Sequence, residues 1–349
     1  MKAIISPRFS TNRVLLKNVL PLKSPWTLTI HTGDICNSKC KYCVCSLPDD
    51  KLDKSEAFRS FLSWETFECF ADSICELPDP VKVVTLSARA GEPLMNNNLP
   101  RMIRRLRDTG RVESVQLVTN GLLLTKEKSL ELLDSGVDVF QISVNGTTSK
   151  MYKELCGVDI NVEEFIENLR FLYDNKKQRE IYIKILDICL EKPEDVGKEQ
   201  FYEMYGNYCD RIIVANAQPV YREIDYTGIV TERKGSWREE LWKGKVGGQH
   251  ICYTVFHFMA VCADGRIVPC GPMVNPQLAD DAVVLGNIND TSLLDAFCGK
   301  KRRDFLRMLL EKKRHEHPIC GACHCPDATI FHKEDDLDPY AEELLPKFK

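Results

Sequence analysis

The sequence lacks the features that direct a protein to a membrane or a secretory route. Its N-terminus has no apolar segment followed by small residues, so no signal peptide is predicted. The longest apolar stretch, residues 253–263, contains His257 and is far shorter than a membrane span. With 47 basic and 51 acidic residues, the net charge is −4, and neither sign is in excess as nucleic-acid binding would require. We therefore expect a cytoplasmic protein without a membrane or nucleic-acid partner.

Cysteine, in contrast, is abundant, although a disulfide framework is not expected. The 349 residues suffice for about two domains with their own cores. Sixteen cysteines, clustered in a cytosolic chain of this size, indicate metal or redox chemistry. The clusters lie at 36–45 and 252–325. Five scattered cysteines are interpreted mostly as ordinary buried thiols: Cys69, Cys75, Cys156, Cys189 and Cys209.

Short β-branched runs alternate with helical patterns between residues 25 and 216. Strands are predicted at 26–32, 81–87, 114–119, 137–144, 181–188 and 211–215, and helices at 64–77, 99–108, 126–134, 162–173 and 193–205. Ser63 is the predicted N-cap of the first helix. This alternation predicts an α/β fold of parallel β/α units, with functional residues at the C-terminal ends of the strands.

A different pattern follows the last of these strands. Residues 252–270 predict a hairpin that turns at Ala263-Asp264-Gly265, and a helix is predicted at 292–311. The predicted organisation is an N-terminal extension (1–25), a partial barrel (26–226), a linker (227–250), a small hairpin-plus-helix domain (251–330) and a charged, loosely packed tail (331–349).

Three cysteines, Cys36, Cys40 and Cys43, follow the first predicted strand with the spacing Cys-x3-Cys-x2-Cys. Thiolates bind zinc as well as iron–sulfur clusters, but structural zinc takes four closed ligands, usually in two pairs. Three thiolates in one loop instead favour a four-iron cluster with one open iron. Cys45 could supply a fourth thiolate, which would close that iron.

This triplet, with Tyr42 before its last cysteine, resembles the motif of the radical S-adenosylmethionine (radical SAM) enzymes. Residues 89–93, Arg-Ala-Gly-Glu-Pro, are similar to the family's Gly-Gly-Glu-Pro, with Ala90 in place of the first glycine. Thr119-Asn120-Gly121 and Ser143-Val144-Asn145-Gly146 also stand at predicted strand ends. The resemblance implies a partial (β/α)6 TIM-like barrel, a 4Fe–4S cluster and S-adenosylmethionine, cleaved reductively to a radical that abstracts a hydrogen atom.

The resemblance also implies which side chains contact S-adenosylmethionine. These are Tyr42, Gly91, Glu92, Asn120, Ser143 and Asn145. Gly91 would let the backbone approach closely, and Glu92 would bind the methionyl ammonium group. Ser143 and Asn145 could bind the ribose or carboxylate, or could simply close a turn.

The second cysteine cluster resembles the C-terminal SPASM domains of this superfamily. No cysteine follows Cys325, which favours the shortened "twitch" form with one auxiliary 4Fe–4S cluster. The ligands implied are Cys252, Cys270, Cys320 and Cys323. A zinc ribbon is the alternative, and Cys262, Cys298 or Cys325 could replace one of the four.

An auxiliary cluster with four thiolates has no open iron, so we expect it to transfer electrons. The cluster spacing is similar to that of 2-deoxy-scyllo-inosamine dehydrogenase. The expected activity is therefore a two-electron alcohol dehydrogenation of a carbohydrate, aminocyclitol or other small polar substrate, with a flavodoxin- or ferredoxin-type electron donor.

Three alternatives to this oxidoreductase stay open. A ribosomal-peptide maturase is one, although the 35 residues before Cys36 are too few for a leader-binding domain. A redox-neutral epimerase and a non-catalytic zinc or iron–sulfur protein are the others.

The sequence offers fewer candidates for substrate contacts than for cofactor contacts. Lys184 and Arg89, on or near strand ends, are the candidate catalytic residues. The basic runs 300–303 and 312–314 are interpreted as a solvated helix face, and His315 and His317 as parts of an exposed turn.

Overall fold

A computed structural model of the chain describes residues 1–6, 13–48, 60–88, 90–215, 217, 224, 251–274, 282–321, 323 and 334–349. The strands are β1 (Ile4–Ile5), β2 (Thr27–His31), β3 (Val81–Ser87), β4 (Val112–Thr119), β5 (Val139–Val144), β6 (Glu180–Leu186), β7 (Arg211–Ala215), β8 (Phe258–Val261), β9 (Arg266–Val268) and β10 (Gly286–Asn287). The α-helices are α1 (Trp64–Cys75), α2 (Leu99–Asp108), α3 (Lys126–Ser135), α4 (Ser149–Cys156), α5 (Val162–Asn175), α6 (Glu194–Tyr205), α7 (Leu293–Cys298), α8 (Lys300–Leu310), α9 (Pro318–Gly321) and α10 (Ala341–Leu344). The predicted linker, 227–250, lies outside the described residues.

All ten strands form one sheet in the order β1-β7-β6-β5-β4-β3-β2-β8-β9-β10. From β1 to β8 every neighbouring pair is parallel, and β9 and β10 are added antiparallel. The sheet is not closed, so the predicted partial barrel is confirmed. All six predicted strands are present in it, and Ser63 caps α1 by accepting a hydrogen bond from the Thr66 amide.

The two faces of the sheet differ in chemistry because successive side chains point to opposite sides. One face is apolar and packs in the main hydrophobic core with the helices, through residues such as Leu28, Ile30, Val84, Leu117, Phe140 and Ile183. The opposite face, called here the polar face, carries Thr29, Thr85, Gln116, Gln141, Ser143 and Lys184. The sheet therefore presents a hydrophilic surface on the side away from the main core.

The hairpin of β8 and β9 continues the barrel sheet. Leu28 of β2 pairs with Met259 of β8, in parallel register. A second hydrophobic cluster lies here and includes Phe256, Leu306 and Leu309. Strand pairing thus joins the N-terminal and C-terminal halves of the chain directly.

The C-terminal tail is not loosely packed, so that prediction is wrong. Leu337 and Leu344 are fully buried, and Phe348 packs edge-on against Phe256 with ring centroids 5.6 Å apart. The charged residues between them dominate the composition of the segment, but its apolar residues follow helical spacing and cover α8.

Two predicted elements end elsewhere than expected, and one helix is additional. The helix predicted at 292–311 is two helices, because the extended backbone of Gly299 ends α7 and caps α8. The predicted strand 181–188 ends at Leu186, where a 3-10 turn begins. Helix α4 was not predicted, although its Thr148 cap and Gly157, at a φ of 67°, are ordinary helix-end signals. None of the described helices is long and apolar enough to cross a membrane.

Candidate active site

The loop that carries Cys36, Cys40 and Cys43, called here the cysteine loop, follows the C-terminal end of β2. It is anchored on the end of α4: the amides of Lys39 and Lys41 donate to the carbonyls of Cys156 and Leu155, at 2.8 and 2.9 Å. The helix that sequence reasoning missed therefore supports the loop with the strongest sequence signal.

Five thiols lie together around this loop. Cys45 hydrogen-bonds to both Cys36 and Cys43, which lowers the pKa of Cys36 and raises that of Cys45. Cys40 is hydrogen-bonded to Cys156, and this contact, with burial, raises the pKa of Cys40. Cys45 thus stays in place as an alternative ligand. Cys156 is buried, as predicted, but it contacts the site rather than the core alone.

The segment that follows β3 packs directly on the cysteine loop. A Cβ atom on Gly91 would lie 2.6 Å from the Gly33 carbonyl oxygen and 2.9 Å from the backbone of Ile35. The Glu92 amide donates to the Ile35 carbonyl at 2.8 Å. Only glycine fits at residue 91, because the two backbones are in contact there.

Ala90, which departs from the family pattern, has a local explanation. Its side chain is buried in a small cluster with Val44 and Ile224. The methyl group therefore packs on the far end of the cysteine loop. Arg89, a candidate catalytic residue, lies outside the described residues.

The Glu92 carboxylate is buried, with 3% of the residue exposed. It accepts hydrogen bonds from the Leu94 amide at 3.1 Å, from the Asn120 amide at 2.7 Å and from the Thr119 hydroxyl. Burial raises the pKa of Glu92 to about 7, against these three bonds, which lower it. A carboxylate has about four lone-pair sites, so one acceptor site remains for a further donor.

Two strand-end asparagines also reach the cysteine loop. The Asn120 side chain donates to Asn37 Oδ1 at 2.7 Å. Asn145 Oδ1 accepts from the Tyr42 hydroxyl at 2.7 Å, and the Asn145 amide donates to the Tyr152 hydroxyl at 3.2 Å. The ends of β3, β4 and β5 therefore converge on one loop, as the sequence predicted.

Ser143 and Lys184 lie side by side on the polar face. They are register partners on β5 and β6. On the same face, Gln141 donates to Gln116 at 2.8 Å. Burial lowers the pKa of Lys184, and no ion pair with it occurs among the described residues. A substrate oxygen on this face could therefore accept a hydrogen bond from the Lys184 amine.

Four cysteines of the second cluster line one cavity of about 260 Å³, called here the four-cysteine cavity. They are Cys252, Cys270, Cys320 and Cys323. Burial raises the pKa of Cys252 to about 11 and that of Cys320 to about 12, and raises that of Cys270 well above its usual value. Because metal ligation requires deprotonated thiols, a cationic group bound in this cavity would displace these protons.

The spacing of these thiols bears on the zinc alternative. Zinc would need four ligands, each about 2.0–2.3 Å from one ion. Within the described part of the chain, no three Cys, His, Asp or Glu side chains converge in that way. Four thiols that line one cavity are also the ligand set of a 4Fe–4S cluster.

The surplus cysteines lie elsewhere. Cys262 directly follows β8, and burial raises its pKa to about 12. Cys298 is exposed at the end of α7. Neither is among the residues that line the four-cysteine cavity. Cys325 lies outside the described residues.

His317 holds the helix that carries Cys320 rather than lying in an exposed turn. Its Nδ1 accepts from the amides of Ile319 and Cys320 at 3.2 and 3.4 Å, and its ring packs edge-on against Phe305. Because Nδ1 accepts two amide protons, this nitrogen is not available to a metal ion. Only His315 matches the predicted exposed position.

The two cysteine sites are at opposite ends of paired strands. The cysteine loop follows the C-terminal end of β2, whereas Cys252 precedes the N-terminal end of its parallel neighbour β8. Five residues of strand span on the order of 17 Å. The sites are therefore separate centres within one sheet.

Two family models match the chain. The Radical SAM superfamily matches residues 30–196, and the iron–sulfur cluster-binding domain SPASM matches residues 252–325. The GTP 3',8-cyclase of Tolumonas auensis is 26% identical over 174 residues, which are 50% of this chain and 48% of that protein. The enzyme of the same name from Xanthomonas campestris is 29% identical over 133 residues, 37% of each chain. The matches span about half of these relatives or less.

Solved structures share the fold. BtrN in complex with AdoMet and 2-DOIA has a TM-score of 0.54 and 17% identity, with 90% of this chain and 98% of BtrN covered. Streptococcus suis SuiB bound to its precursor peptide SuiA has a TM-score of 0.58 and 18% identity, with 82% and 67% covered. At such identities the likeness concerns the fold alone.

Proposed function

Because this chain belongs to the radical SAM superfamily and carries a C-terminal SPASM domain, we propose that it catalyses a two-electron oxidation of a small polar substrate. Membership implies a 4Fe–4S cluster, S-adenosylmethionine and auxiliary iron–sulfur binding. The proposal adds the type of reaction, dehydrogenation of an alcohol carbon. It rests chiefly on the four-cysteine cavity, whose thiols leave no ligand position for substrate.

The residues divide into two binding sets. Cys36, Cys40 and Cys43 would hold the first cluster, and the four-cysteine cavity would hold the second. When bound, these groups supply hydrogen-atom abstraction and a one-electron acceptor, so that an alcohol carbon loses two electrons and two protons in total. The residues that would contact S-adenosylmethionine are Tyr42, Gly91, Glu92, Asn120, Ser143 and Asn145.

Around Cys36, Cys40 and Cys43, the protein contributes side chains held in fixed positions and a buried carboxylate. Glu92 keeps one acceptor site for an ammonium group, and its other sites are filled by protein donors. The Asn145 side chain accepts from the Tyr42 hydroxyl, and its Nδ2 donates to the Cys40 sulfur at 4.0 Å, while its backbone amide is held by Tyr152. The site is thus ordered before a ligand binds, which reduces the entropic cost of orienting it.

The polar face supports a small hydrophilic substrate, such as a carbohydrate. Its threonines, glutamines and Ser143 offer donors and acceptors that suit hydroxyl groups. Lys184 is the candidate contact for the substrate oxygen, since this residue is half-buried and lies beside Ser143 on the polar face. A flavodoxin- or ferredoxin-type protein would supply the priming electron. BtrN, which contains 2-DOIA in its structure, shares the fold.

Anaerobic turnover tests this proposal. The reconstituted enzyme, S-adenosylmethionine and dithionite are incubated with a panel of polyols and aminocyclitols, and products are analysed by mass spectrometry. We expect a product two mass units lighter than its substrate, with EPR-detected reduction of the second cluster in single turnover. A product of unchanged mass would contradict dehydrogenation and favour epimerisation.

Peptide modification is the second candidate. The fold of this chain resembles SuiB with a precursor peptide and also anSMEcpe with AdoMet and the Cp18Cys peptide, at a TM-score of 0.58 in both cases. A short peptide encoded beside this protein, altered in mass by the enzyme, would favour that reaction over the oxidation of a small molecule.

A further inference from the structure

Two arginines are buried in the C-terminal region, and their surroundings differ. Arg302 and Arg314 each have 4% of their surface exposed. Arg302 donates to the carbonyls of Phe297, Val255 and Phe256 at 2.9, 2.8 and 3.0 Å. Its charge therefore holds the turn after Cys252 against α7 and α8.

Arg314 instead lines the four-cysteine cavity. Apart from the cysteines, the described lining residues are uncharged, for example Phe258, Phe305 and Leu309, with one exception. Arg314 is the charged side chain of the described lining. The positive charge opposes the effect of burial on the pKa of both Cys252 and Cys320. In such surroundings a charge is weakly screened, so it acts strongly on any neighbouring charge.

We propose that Arg314 raises the reduction potential of the auxiliary iron–sulfur cluster and so fits it to accept an electron. A cluster held by four thiolates is already anionic, and reduction adds one electron and, in this step, no proton. A fixed cation beside it stabilises the reduced form more than the oxidised form. Cluster potentials depend on just such net charge and burial.

The inference rests on the proposed function only in requiring a cluster in this cavity. An oxidation needs an acceptor that takes the electron left on the substrate after hydrogen abstraction. With Arg314 neutralised, that acceptor would be a weaker oxidant, and the same transfer would become less favourable. The identity of the substrate does not enter.

A redox titration measures the effect without substrate. The full chain with Cys36, Cys40 and Cys43 all changed to Ala, which leaves only the auxiliary cluster, is reconstituted with and without Arg314→Met. At the midpoint potential of the parent, Arg314→Met should show a reduced-to-oxidised ratio at least about tenfold lower by EPR, equivalent to about 59 mV for one electron. Lys301→Met removes an exposed positive charge of α8 and should leave the ratio unchanged.

Arg314→Lys distinguishes charge from shape. It should bind the cluster and retain most of the parent ratio. An unchanged ratio in Arg314→Met, or an equal shift in Lys301→Met, would overturn the inference. If Arg314→Met binds no iron, Arg314→Gln, which is also uncharged, replaces it in the titration, and an unchanged ratio there overturns the inference.

Failure of this inference can be distinguished from failure of the proposed function. A lowered ratio in Arg314→Met, together with no oxidised product from any substrate, would leave the tuning role intact and reject the dehydrogenation. Oxidised product with an unshifted ratio would do the reverse.

Discussion

At the scale of the residue, Asn145 shows how much of a site depends on contacts between distant positions. Its side-chain oxygen accepts from the hydroxyl of Tyr42, 103 positions earlier, and its backbone amide donates to the hydroxyl of Tyr152. The motif Ser143-Val144-Asn145-Gly146, which contains Asn145, is recognised in the sequence because it stands at the end of a predicted strand. Tyr152 was not found, because the partner of a buried hydroxyl is set by packing and has no local pattern.

The same limit applies to Arg314. A basic residue after an amphipathic helix is normally exposed, and the run 312–314 was interpreted in that way. Arg314 is buried, whereas its neighbours Lys312 and Lys313 are exposed. Nothing in the sequence of residues 312–314 indicates which of the three basic side chains is buried.

His257 provides a prediction on pH. Burial lowers its pKa from 6.5 to about 4, its Nδ1 is buried without a hydrogen-bond partner among the described residues, and its ring packs on Trp26. The unfolded chain therefore binds a proton between pH 6.5 and about 4 that the folded chain does not. We expect the free energy of unfolding to fall as pH falls through this window, by about 3 kcal/mol from this residue.

Urea unfolding of the metal-free protein across this pH range measures the loss. In His257→Phe the ring stays and the titration is removed, so the curve of stability against pH should flatten between pH 6.5 and about 4. If the variant loses as much stability as the parent over the window, His257 is not the group responsible.

At the scale of the element, the cysteine loop is held by two segments that the sequence treats differently. The Gly-Glu-Pro segment after β3 was predicted from its motif and its position at a strand end. Helix α4 was missed, although Leu155 and Cys156 at its end bind the loop. Strands were recognised from their apolar runs, whereas α4 is short and only two of its residues are buried.

Gly91→Ala tests the backbone contact between these segments. The added Cβ would meet the Gly33 carbonyl at 2.6 Å, so the cysteine loop must shift. Overpacking of this kind costs about 1–3 kcal/mol, and we expect weaker S-adenosylmethionine binding, by about tenfold or more, at unchanged auxiliary iron content. Calorimetric titration and iron analysis measure both.

Gly110→Asn is the control, since no atom lies within 4 Å of a Cβ added there and asparagine tolerates its φ of +62°. It should bind S-adenosylmethionine as the parent does. Equal losses in the two variants would show that the effect is general to glycine replacement and not due to the contact with Gly33.

At the scale of the whole molecule, one sheet joins two centres. The order of β2 to β7 could be predicted from the sequence, since β/α units add strands in sequence order. The pairing of β2 with β8 could not, because it joins strands about 230 positions apart through the register Leu28–Met259, and no local pattern specifies such a partner. That pairing places the two cysteine sets at opposite ends of two neighbouring strands, β2 and β8.

This arrangement explains how one chain could separate hydrogen abstraction from electron acceptance. The polar face lies on the sheet that both centres share. The account therefore depends on two clusters being bound, each by its own set of thiols.

Iron and sulfide analysis, combined with S-adenosylmethionine cleavage, tests that claim most directly. We predict about eight irons and eight sulfides per anaerobically reconstituted chain. Replacing the first triplet, Cys36, Cys40 and Cys43, by Ala should halve both and abolish deoxyadenosine formation with dithionite. Replacing Cys252, Cys270, Cys320 and Cys323 should halve the iron but leave deoxyadenosine formation. Zinc without sulfide, or deoxyadenosine release that survives loss of the first triplet, would contradict the account.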